Sequence, residues 1–494
     1  MPVPGQLTAA TLWVAKRYAT KALAPGRPPK AAIAAIALAT AAIFATALLG
    51  PSGAVEPLPG YPPFGWHAHP SATAVTALLL VAILAGAYGV LGCLDALRRG
   101  WALDTKRLLF ASTLAALALG LLAPVGSSDP GSYAAYGRLA ATGHDPYATP
   151  PSALTGPYAN IAEPPWRTTT SVYGPIATGE QWLAAKIAGD GPDAPAHAVF
   201  ILGIVNAIAF VATSLLLYRL AAGQAGRRRA AVMFSANPLL LFEGVAGQHI
   251  DVLLTFFVVA ATALLGRRAW PAAAAAGLLG GVAVAIKASA ALAGAGFAWA
   301  VAQERQRPAR RLVALAIGAA AVLVPAYVLA GSHAFDQLRH ASGFVSFADP
   351  WRIITHPLES LLGHDTARAF IRTAAWIAFA VLALLLNRGL PGRRLPGRAA
   401  LVFVLAWLLT APYVLPWYAV LAFALIALLP PSGFDRVLVF WISVLAIAYL
   451  PGRESQPLPS WLHHTIDVWK SGFAPALLLC TVIVAAALSI RRRS

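Results

Sequence analysis

The sequence predicts an all-α protein that crosses a membrane many times, and three observations support this prediction. Hydrophobic residues make up 59% of the 494-residue chain and charged residues only 11%, whereas soluble proteins average about a quarter charged. Apolar runs recur along the whole chain, and basic residues collect in alternate connections between them. We therefore expect a bundle of about 14 transmembrane helices, within a range of about 12–14.

The apolar runs set the expected positions of the spans. They lie near 31–50, 72–94, 108–125, 196–218, 231–246, 250–266, 271–286, 288–303, 312–330, 367–387, 399–412, 417–430, 437–450 and 473–490. The first run is too long for the apolar part of a typical signal peptide, so we expect it to be retained. The chain then forms one transmembrane domain over 31–490, between a basic N-terminal segment, 1–30, and a basic tail, 491–494.

The distribution of charge predicts the orientation. A net charge of +18 is common among nucleic-acid-binding proteins. However, about 27 of the 37 lysines and arginines fall on one side when the N-terminus is placed in the cytoplasm. This bias indicates a plasma-membrane protein with both termini in the cytoplasm, in contact with anionic lipids and not with nucleic acid. The extracytoplasmic connections are the long ones, which often carry function: 51–70, 126–196, 331–365 and 451–472.

No motif in the sequence predicts a metal or cofactor site. The two cysteines, Cys93 and Cys480, lie in separate apolar runs and are expected to pack as small side chains. No cysteine or histidine cluster has zinc-ligand spacing, and no phosphate-binding loop of the GxxxxGK[ST] type is present. We therefore predict no cofactor and no metal ligand, and leave a divalent-metal requirement open.

The second long connection, 126–196, is the most informative segment of the chain. Asp129 directly follows an apolar run, so its carboxylate is expected where hydrocarbon gives way to water. There it can act as a general base or simply cap a short helix that Pro130 begins. Tyr133 and Tyr136 follow on this helix, either as walls of a sugar pocket or as members of an interfacial aromatic belt.

Further polar and aromatic side chains of the same connection are candidates for the site. Arg138 ends the short helix, and a second Asp-Pro-Tyr sequence places Asp145 and Tyr147 shortly after it. Tyr173 precedes an amphipathic helix predicted over 176–187, which is expected to lie along the membrane surface. Asp145, Tyr147 and Tyr173 are expected to contribute to sugar or acceptor binding.

Two further clusters interrupt apolar sequence. His249 and Asp251 belong either to a solvated hairpin, with Asp251 as a helix cap, or to a cavity shared with Asp129. Lys287 is the only charge within 271–301. Because a lysine in hydrocarbon costs about 3 kcal/mol, it should face a cavity, an anion or the membrane surface. Trp417 and Tyr418 form either a sugar-stacking platform or part of an aromatic belt.

Five stretches, taken in order, resemble a known family. SDPGSYAAYGRLAATGHDPYATPP, WRTTTSVYGPI, NPLLLFEGVAGQHIDVLL, GVAVAIKAS and YVLPWY resemble the polyprenol-phosphate-mannose-dependent mannosyltransferases of actinobacteria, in particular the α-1,6-mannosyltransferases that build mannan cores. The resemblance implies a GT-C fold, a polyprenyl-phosphate-mannose donor, a lipid-linked glycan acceptor and inversion at the anomeric carbon. It also implies that Asp129 is the catalytic aspartate. The chain departs from the family pattern at His249-Ile250-Asp251, where an amide is expected between the histidine and the aspartate.

The chemistry of this reaction needs few catalytic groups. A lipid phosphate leaves as a stable anion, so a single carboxylate that deprotonates the acceptor hydroxyl is sufficient. We predict Asp129 as this base, and Lys287 with either His249 or Arg138 as a clamp for the donor phosphate. Three alternatives are kept: a transporter or flippase of a polyprenyl-linked saccharide, a GT-C arabinosyltransferase, and a non-catalytic assembly subunit.

Overall fold

A computed structural model describes residues 27–164, 166–336, 344–393, 395–453 and 458–491. Regular secondary structure in these ranges is helical, apart from isolated β-bridges such as the one between Val55 and Val125. Most of the predicted basic N-terminal segment and all but the first residue of the predicted tail lie outside the described residues.

The helices fall into two halves along the chain. The first half contains α1 (Lys30–Leu49), α2 (Ala72–Arg98), α3 (Thr105–Gly120), α4 (Asp129–Ala141), α5 (Pro175–Ala188), α6 (Ala194–Leu220), α7 (Gly223–Ala230) and α8 (Asp251–Leu265). The second half contains α9 (Trp270–Ile286), α10 (Ala291–Ala302), α11 (Pro308–Ala330), α12 (Arg352–Leu362), α13 (His364–Gly389), α14 (Pro396–Thr410), α15 (Ala419–Ala427), α16 (Phe434–Ala448), α17 (Ser460–Val468) and α18 (Ala474–Arg491).

The structure supports a polytopic membrane protein but does not confirm about 14 spans. By length and composition, six described helical stretches can cross a membrane: α1, α2, α6, α11, α13 and the continuous Ser460–Arg491. A seventh is added if Gly223–Ala246 and Asp251–Leu265, which meet at 119°, form one span. Several predicted spans correspond to apolar helices of 10–17 residues. At 1.5 Å per residue these are shorter than the roughly 30 Å hydrocarbon core.

The two predicted short helices of the 126–196 connection are present. The first is α4, which begins at Asp129. The second is α5, which contains the stretch predicted to be amphipathic and exposes Trp182, Leu183 and Ile187. An exposed apolar stripe on a short helix is typical of a helix lying at a membrane surface.

Four short helices run alternately between two ends of the bundle. At one end, α8 begins at Asp251, α9 ends just before Lys287, α10 begins at Ala291 and α14 ends at Thr410. We call this the site end, because Asp129 shares a cavity with residues from it. The other termini of the same four helices define the opposite end of the bundle.

The bend between the two parts of the broken span brings His249 into the interior. A π-helical segment, Leu241–Ala246, precedes the bend, and Gln248 adopts a left-handed conformation with φ of 51°. A Cβ atom on Gly247 would lie 2.7 Å from Cδ2 of His249, so a side chain there would displace the ring. Asn237, Glu243, Gln248, His249 and Asp251 are all buried. The alternative of a solvated hairpin is therefore wrong.

Candidate functional site

A cavity of about 520 Å³ opens at the site end of the bundle. Three charged side chains of the described residues line it: Asp129, Lys287 and Arg372. Most of the remaining wall is aromatic or aliphatic. The aromatic members are Trp166, Tyr173, Phe344, Trp376, Phe379, Trp407, Tyr413, Trp417 and Tyr418. A mostly apolar cavity with a few convergent charges has the composition of a site for an amphiphilic ligand.

Asp129 is the first residue of α4, and its carboxylate is held from two sides. Tyr133, one turn later, donates its hydroxyl to Oδ2 at 3.2 Å, and Nδ1 of His249 lies 3.2 Å from the same oxygen. Ser128 is the N-cap residue of α4, so Asp129 does not have the capping role considered for it. With 14% of its side chain exposed, the carboxylate is mostly desolvated but still reaches the cavity.

His249 contacts Asp129 but does not itself form part of the cavity wall. Its ring stacks on Trp417, with 3.6 Å between ring centroids and 10° between planes. Its carbonyl oxygen accepts a 2.7 Å hydrogen bond from Nδ2 of Asn206. The side chain is 1% exposed and does not line the cavity. This placement fits the orientation of Asp129 and differs from the phosphate clamp expected for His249.

Lys287 lies at the break between α9 and α10 and lines the cavity. Its Nζ donates to both carboxylate oxygens of Asp251, at 3.0 and 2.7 Å, and lies 3.8 Å from the centroid of the Tyr418 ring. Only 13% of the side chain is exposed, so the lysine does not snorkel to the membrane surface. Desolvation of this ammonium is offset by the paired carboxylate and the ring face.

The tyrosines of α4 form the floor behind Asp129. Tyr133 meets the Tyr173 ring edge-on at 5.0 Å between centroids, and Tyr136 lies 6.3 Å from it. Tyr136 also donates to the carbonyl of Thr169 at 2.9 Å. Both α4 tyrosines are buried, so they do not form an interfacial belt. Of the three rings, Tyr173 reaches the cavity.

Three expected site residues lie away from this cavity. Arg138 pairs with Asp190 and lies 5.3 Å from the centroid of the Tyr158 ring, so its charge is already engaged elsewhere. Asp145 accepts a hydrogen bond from the backbone of Tyr147 at 2.9 Å. Tyr147 shares a 2.8 Å hydrogen bond with Thr178, and burial raises the pKa of this phenol to about 12. These contacts connect the loop to α5.

Arg372 is a cavity residue that the sequence interpretation overlooked. It lies on α13, one face of which also presents Ala375, Trp376 and Phe379 to the cavity at helical spacing. Among the described residues, no carboxylate lies within ion-pair distance of it. With Arg368 one turn earlier in the same predicted span, Arg372 is less conspicuous in the sequence than the isolated Lys287.

These observations first define a class: a membrane protein with a desolvated carboxylate on the wall of an apolar cavity between its helices. Residues 31–303 match a family model described as Alpha-(1->6)-mannopyranosyltransferase, N-terminal domain. Because the match covers more than half of the chain, the protein belongs to this family, and the resemblance inferred from the five stretches is confirmed. The matched range contains Asp129, His249, Asp251 and Lys287, whereas Arg372 lies beyond it.

One curated relative is also a mannopyranosyltransferase, and it matches a shorter range of the chain. The chain is 29% identical over 188 residues to Alpha-(1->6)-mannopyranosyltransferase A of Corynebacterium glutamicum. The alignment covers 37% of each protein, so the chain spans little more than a third of the length of this relative.

Proposed function

We propose that the protein is a membrane glycosyltransferase that moves mannose from a polyprenyl-phosphate-mannose donor to a lipid-linked glycan acceptor. The linkage formed is α-1,6, and the transfer takes place on the extracytoplasmic side of the plasma membrane with inversion at the anomeric carbon. The observation that carries the proposal is the Asp129 carboxylate on the wall of a cavity that also contains two cations and an apolar surface. Membership of the mannopyranosyltransferase family supports mannose as the sugar.

Asp129 acts as the base in this reaction. The acceptor hydroxyl oxygen attacks the anomeric carbon, the bond from that carbon to the phosphate oxygen breaks, and Asp129 accepts the hydroxyl proton. Polyprenyl phosphate leaves as an anion, so no general acid is required. Asp251 is less suited to this role because Lys287 engages both of its carboxylate oxygens.

The charges around the cavity favour an anionic donor. Asp251 compensates the charge of Lys287, whereas Arg372 has no carboxylate partner in the described part of the chain. Arg372 therefore supplies the uncompensated charge for the donor phosphate, and Lys287, which lines the same cavity, contacts the same group. Cations already in position stabilise the charge that develops on the leaving group without reorganising during the reaction.

The apolar part of the cavity accommodates the lipid portion of the donor. Leu292 on α10 and the α13 residues Ala375, Trp376 and Phe379 line it. The side chain of Trp376 is also 57% exposed on the outside of the described structure, so this wall is continuous with the surface that faces lipid. A polyprenyl chain can leave the cavity there without exposing apolar area to water.

Transfer of labelled mannose from polyprenyl-phosphate-mannose by the purified full-length protein in proteoliposomes tests the proposal. Asp129→Asn keeps the size of the side chain but removes the base, so the rate should fall about 10³-fold. Asp145→Asn is the matched control, because it makes the same change in the same connection away from the cavity. A rate for Asp129→Asn above one tenth of that of the parent would rule out Asp129 as the base.

The same proteoliposomes separate transfer from transport. Movement of the labelled donor across the bilayer with no mannosylated product would favour a flippase. Arabinose transfer in place of mannose transfer would favour an arabinosyltransferase, and donor binding without turnover a non-catalytic subunit.

The predicted sidedness has its own test. In a Cys480→Ser background, Ser152→Cys places an exposed thiol in the connection that contains Asp129. A membrane-impermeant maleimide should label it in intact cells, and should label Gln306→Cys, an exposed position at the opposite end, only after the cells are opened. The reverse pattern would place the site in the cytoplasm.

A further inference from the structure

A second cavity, of about 1070 Å³, lies at the opposite end of the bundle. The termini of α8, α9, α10 and α14 that are remote from Asp129 contribute to it. The 15 residues of α8 separate the two ends by about 22 Å. Among the residues that the structure describes, seven arginines and a single carboxylate, Glu304, line this second space. We call it the arginine cavity.

Two of the seven arginines are structural. Arg311 is buried, pairs with Glu304, and donates to the carbonyls of Leu265 and Arg267 at 3.1 and 3.0 Å. Arg398 is also buried, and donates to the carbonyl of Leu390 at 3.1 Å and to the side-chain oxygen of Asn387 at 3.0 Å. These contacts use their charges and donors to hold helix ends together.

The other five arginines surround the opening. Arg268, Arg305, Arg307 and Arg393 are exposed and have no carboxylate within ion-pair distance in the described ranges. Arg310 lies 5.0 Å from the centroid of the Trp270 ring. Orientation in the membrane requires basic connections, but it does not require that they surround a common cavity. Five like charges around one space repel each other unless an anion occupies it.

Two tryptophans at the same opening indicate where the arginine cavity lies relative to the membrane. Trp270 and Trp299 both line it, and each is 47% exposed. Indole rings that are partly exposed are typical of the level of lipid headgroups. Arginine forms paired hydrogen bonds with phosphate oxygens through its planar guanidinium group.

We propose that the arginine cavity binds a phosphate-bearing anion, either the headgroup of an anionic phospholipid or a soluble phosphate compound. This site is separate from the mannosyl-transfer site by the length of α8 and does not depend on the function proposed for that site. The arginines at the opening contact the phosphate, and the two tryptophans border the part of the ligand nearest the lipid.

Native mass spectrometry of the detergent-solubilised full-length protein tests this proposal with three probes: phosphatidylglycerol, phosphatidylcholine and inorganic pyrophosphate. The test variant combines Arg268→Gln, Arg305→Gln and Arg310→Gln. Each substitution removes an exposed charge that has no carboxylate partner in the described part of the chain. Because each removed charge weakens the attraction to an anionic headgroup or phosphate, affinity for the bound anion should fall at least about tenfold.

A matched control variant combines Lys106→Gln, Arg219→Gln and Arg436→Gln, which removes the same charge at the same end of the bundle outside the arginine cavity. It should bind like the parent. Selective loss of phosphatidylglycerol from the test variant assigns a lipid headgroup, and selective loss of pyrophosphate assigns a soluble ligand. Equal binding of all three probes by the two variants, both folded by thermal melting, would overturn the proposal.

Discussion

Two buried ion pairs, one at each end of the bundle, are satisfied in different ways. At the opposite end, Arg229 donates to both carboxylate oxygens of Asp435, each at 2.8 Å, and to the carbonyls of Leu429 and Ile426 at 2.8 and 3.0 Å. Asp435 also accepts from Arg98 at 3.0 Å. Its side chain is 1% exposed. This pair has its partners within the protein and connects α7 with α15 and α16.

The pair at the site end is less enclosed. Lys287 contacts Asp251 and the face of Tyr418, and it lines the cavity. An ammonium group with one carboxylate partner keeps donor capacity for a ligand, whereas an arginine bonded to backbone carbonyls does not. From this comparison we expect the Arg229–Asp435 pair to contribute mainly to stability, and we propose that the Lys287–Asp251 pair contributes to function.

The largest predicted effect on stability follows from removing the enclosed carboxylate. Asp435→Asn leaves the buried Arg229 without its counter-charge inside the bundle, which costs about 3–5 kcal/mol. The melting temperature of the detergent-solubilised protein should fall sharply, together with its yield. Arg98→Gln is the control, because it preserves the Arg229 pair and should lower the melting temperature much less. A melting temperature for Asp435→Asn equal to that of the parent would contradict the structural role.

Substitutions in the Lys287–Asp251 pair at the site end should change activity more than stability. Lys287→Met keeps a chain of similar length without its charge, so mannosyl transfer should slow about 100-fold. The KM for the donor should rise as well. Lys186→Met, on the exposed part of α5, is the control and should have no effect. An unchanged donor KM would exclude contact between Lys287 and the donor phosphate.

A double variant separates the two roles of this pair. Lys287→Met leaves Asp251 as an uncompensated buried charge, and adding Asp251→Asn removes that charge. The double variant should regain the melting temperature lost by Lys287→Met but not its transfer rate. Recovery of the rate as well would mean that the lysine serves only to neutralise Asp251.

A smaller effect is predicted for substitutions of Trp417, whose ring stacks on His249. Trp417→Leu removes the stacked surface that fixes the imidazole beside Asp129, so the transfer rate should fall about tenfold through misplacement of the carboxylate. Trp417→Phe retains part of the stack and should recover most of the rate. If both variants match the parent, the orientation of His249 is independent of this contact.

The sequence predicted the parts of the site that local chemistry determines. Asp129 after an apolar run and Lys287 within one are unusual enough to be noticed in isolation. The all-helical class follows from composition and apolar runs in the same way. The two residues meet at one cavity because α5 packs against both α4 and α9, and this long-range packing is not encoded in the spacing of residues.

Other features depended on tertiary contacts that no local pattern specifies. Arg138 pairs with Asp190, 52 positions later, so its side chain is unavailable to the cavity. The depth of His249 depends on a 119° bend that resembles an ordinary turn between two spans in the sequence. The same bend separates two predicted spans, which count as one if both parts form a single span. Short apolar helices also produce runs that resemble full spans.

A third buried acid differs from both pairs and leads to the smallest predicted effect. Glu56 lies between α1 and α2, and burial raises its pKa to about 8 despite the nearby Arg453 guanidinium. Its Oε2 has no hydrogen-bond partner among the residues described. The same oxygen lies 2.9 Å from where a Cβ of Gly131 would be, beside the first turn of α4. This acid therefore packs against the helix that carries Asp129.

The raised pKa makes stability depend on pH in a definite direction. Between pH 4.5 and about 8, the folded protein keeps a proton that the unfolded chain releases, so stability falls as pH rises through this window and levels off above it. Glu56→Gln cannot ionise, so its melting temperature should equal that of the parent near pH 5 and exceed it by a few degrees above pH 8. Glu359→Gln is the control. The Arg368 guanidinium lowers the pKa of Glu359 from its usual 4.5. The contribution of Glu359 to stability therefore changes with pH only below about 4.5. Parallel melting curves for Glu56→Gln and the parent across pH 5–9 would show that Glu56 is ionised in the folded state.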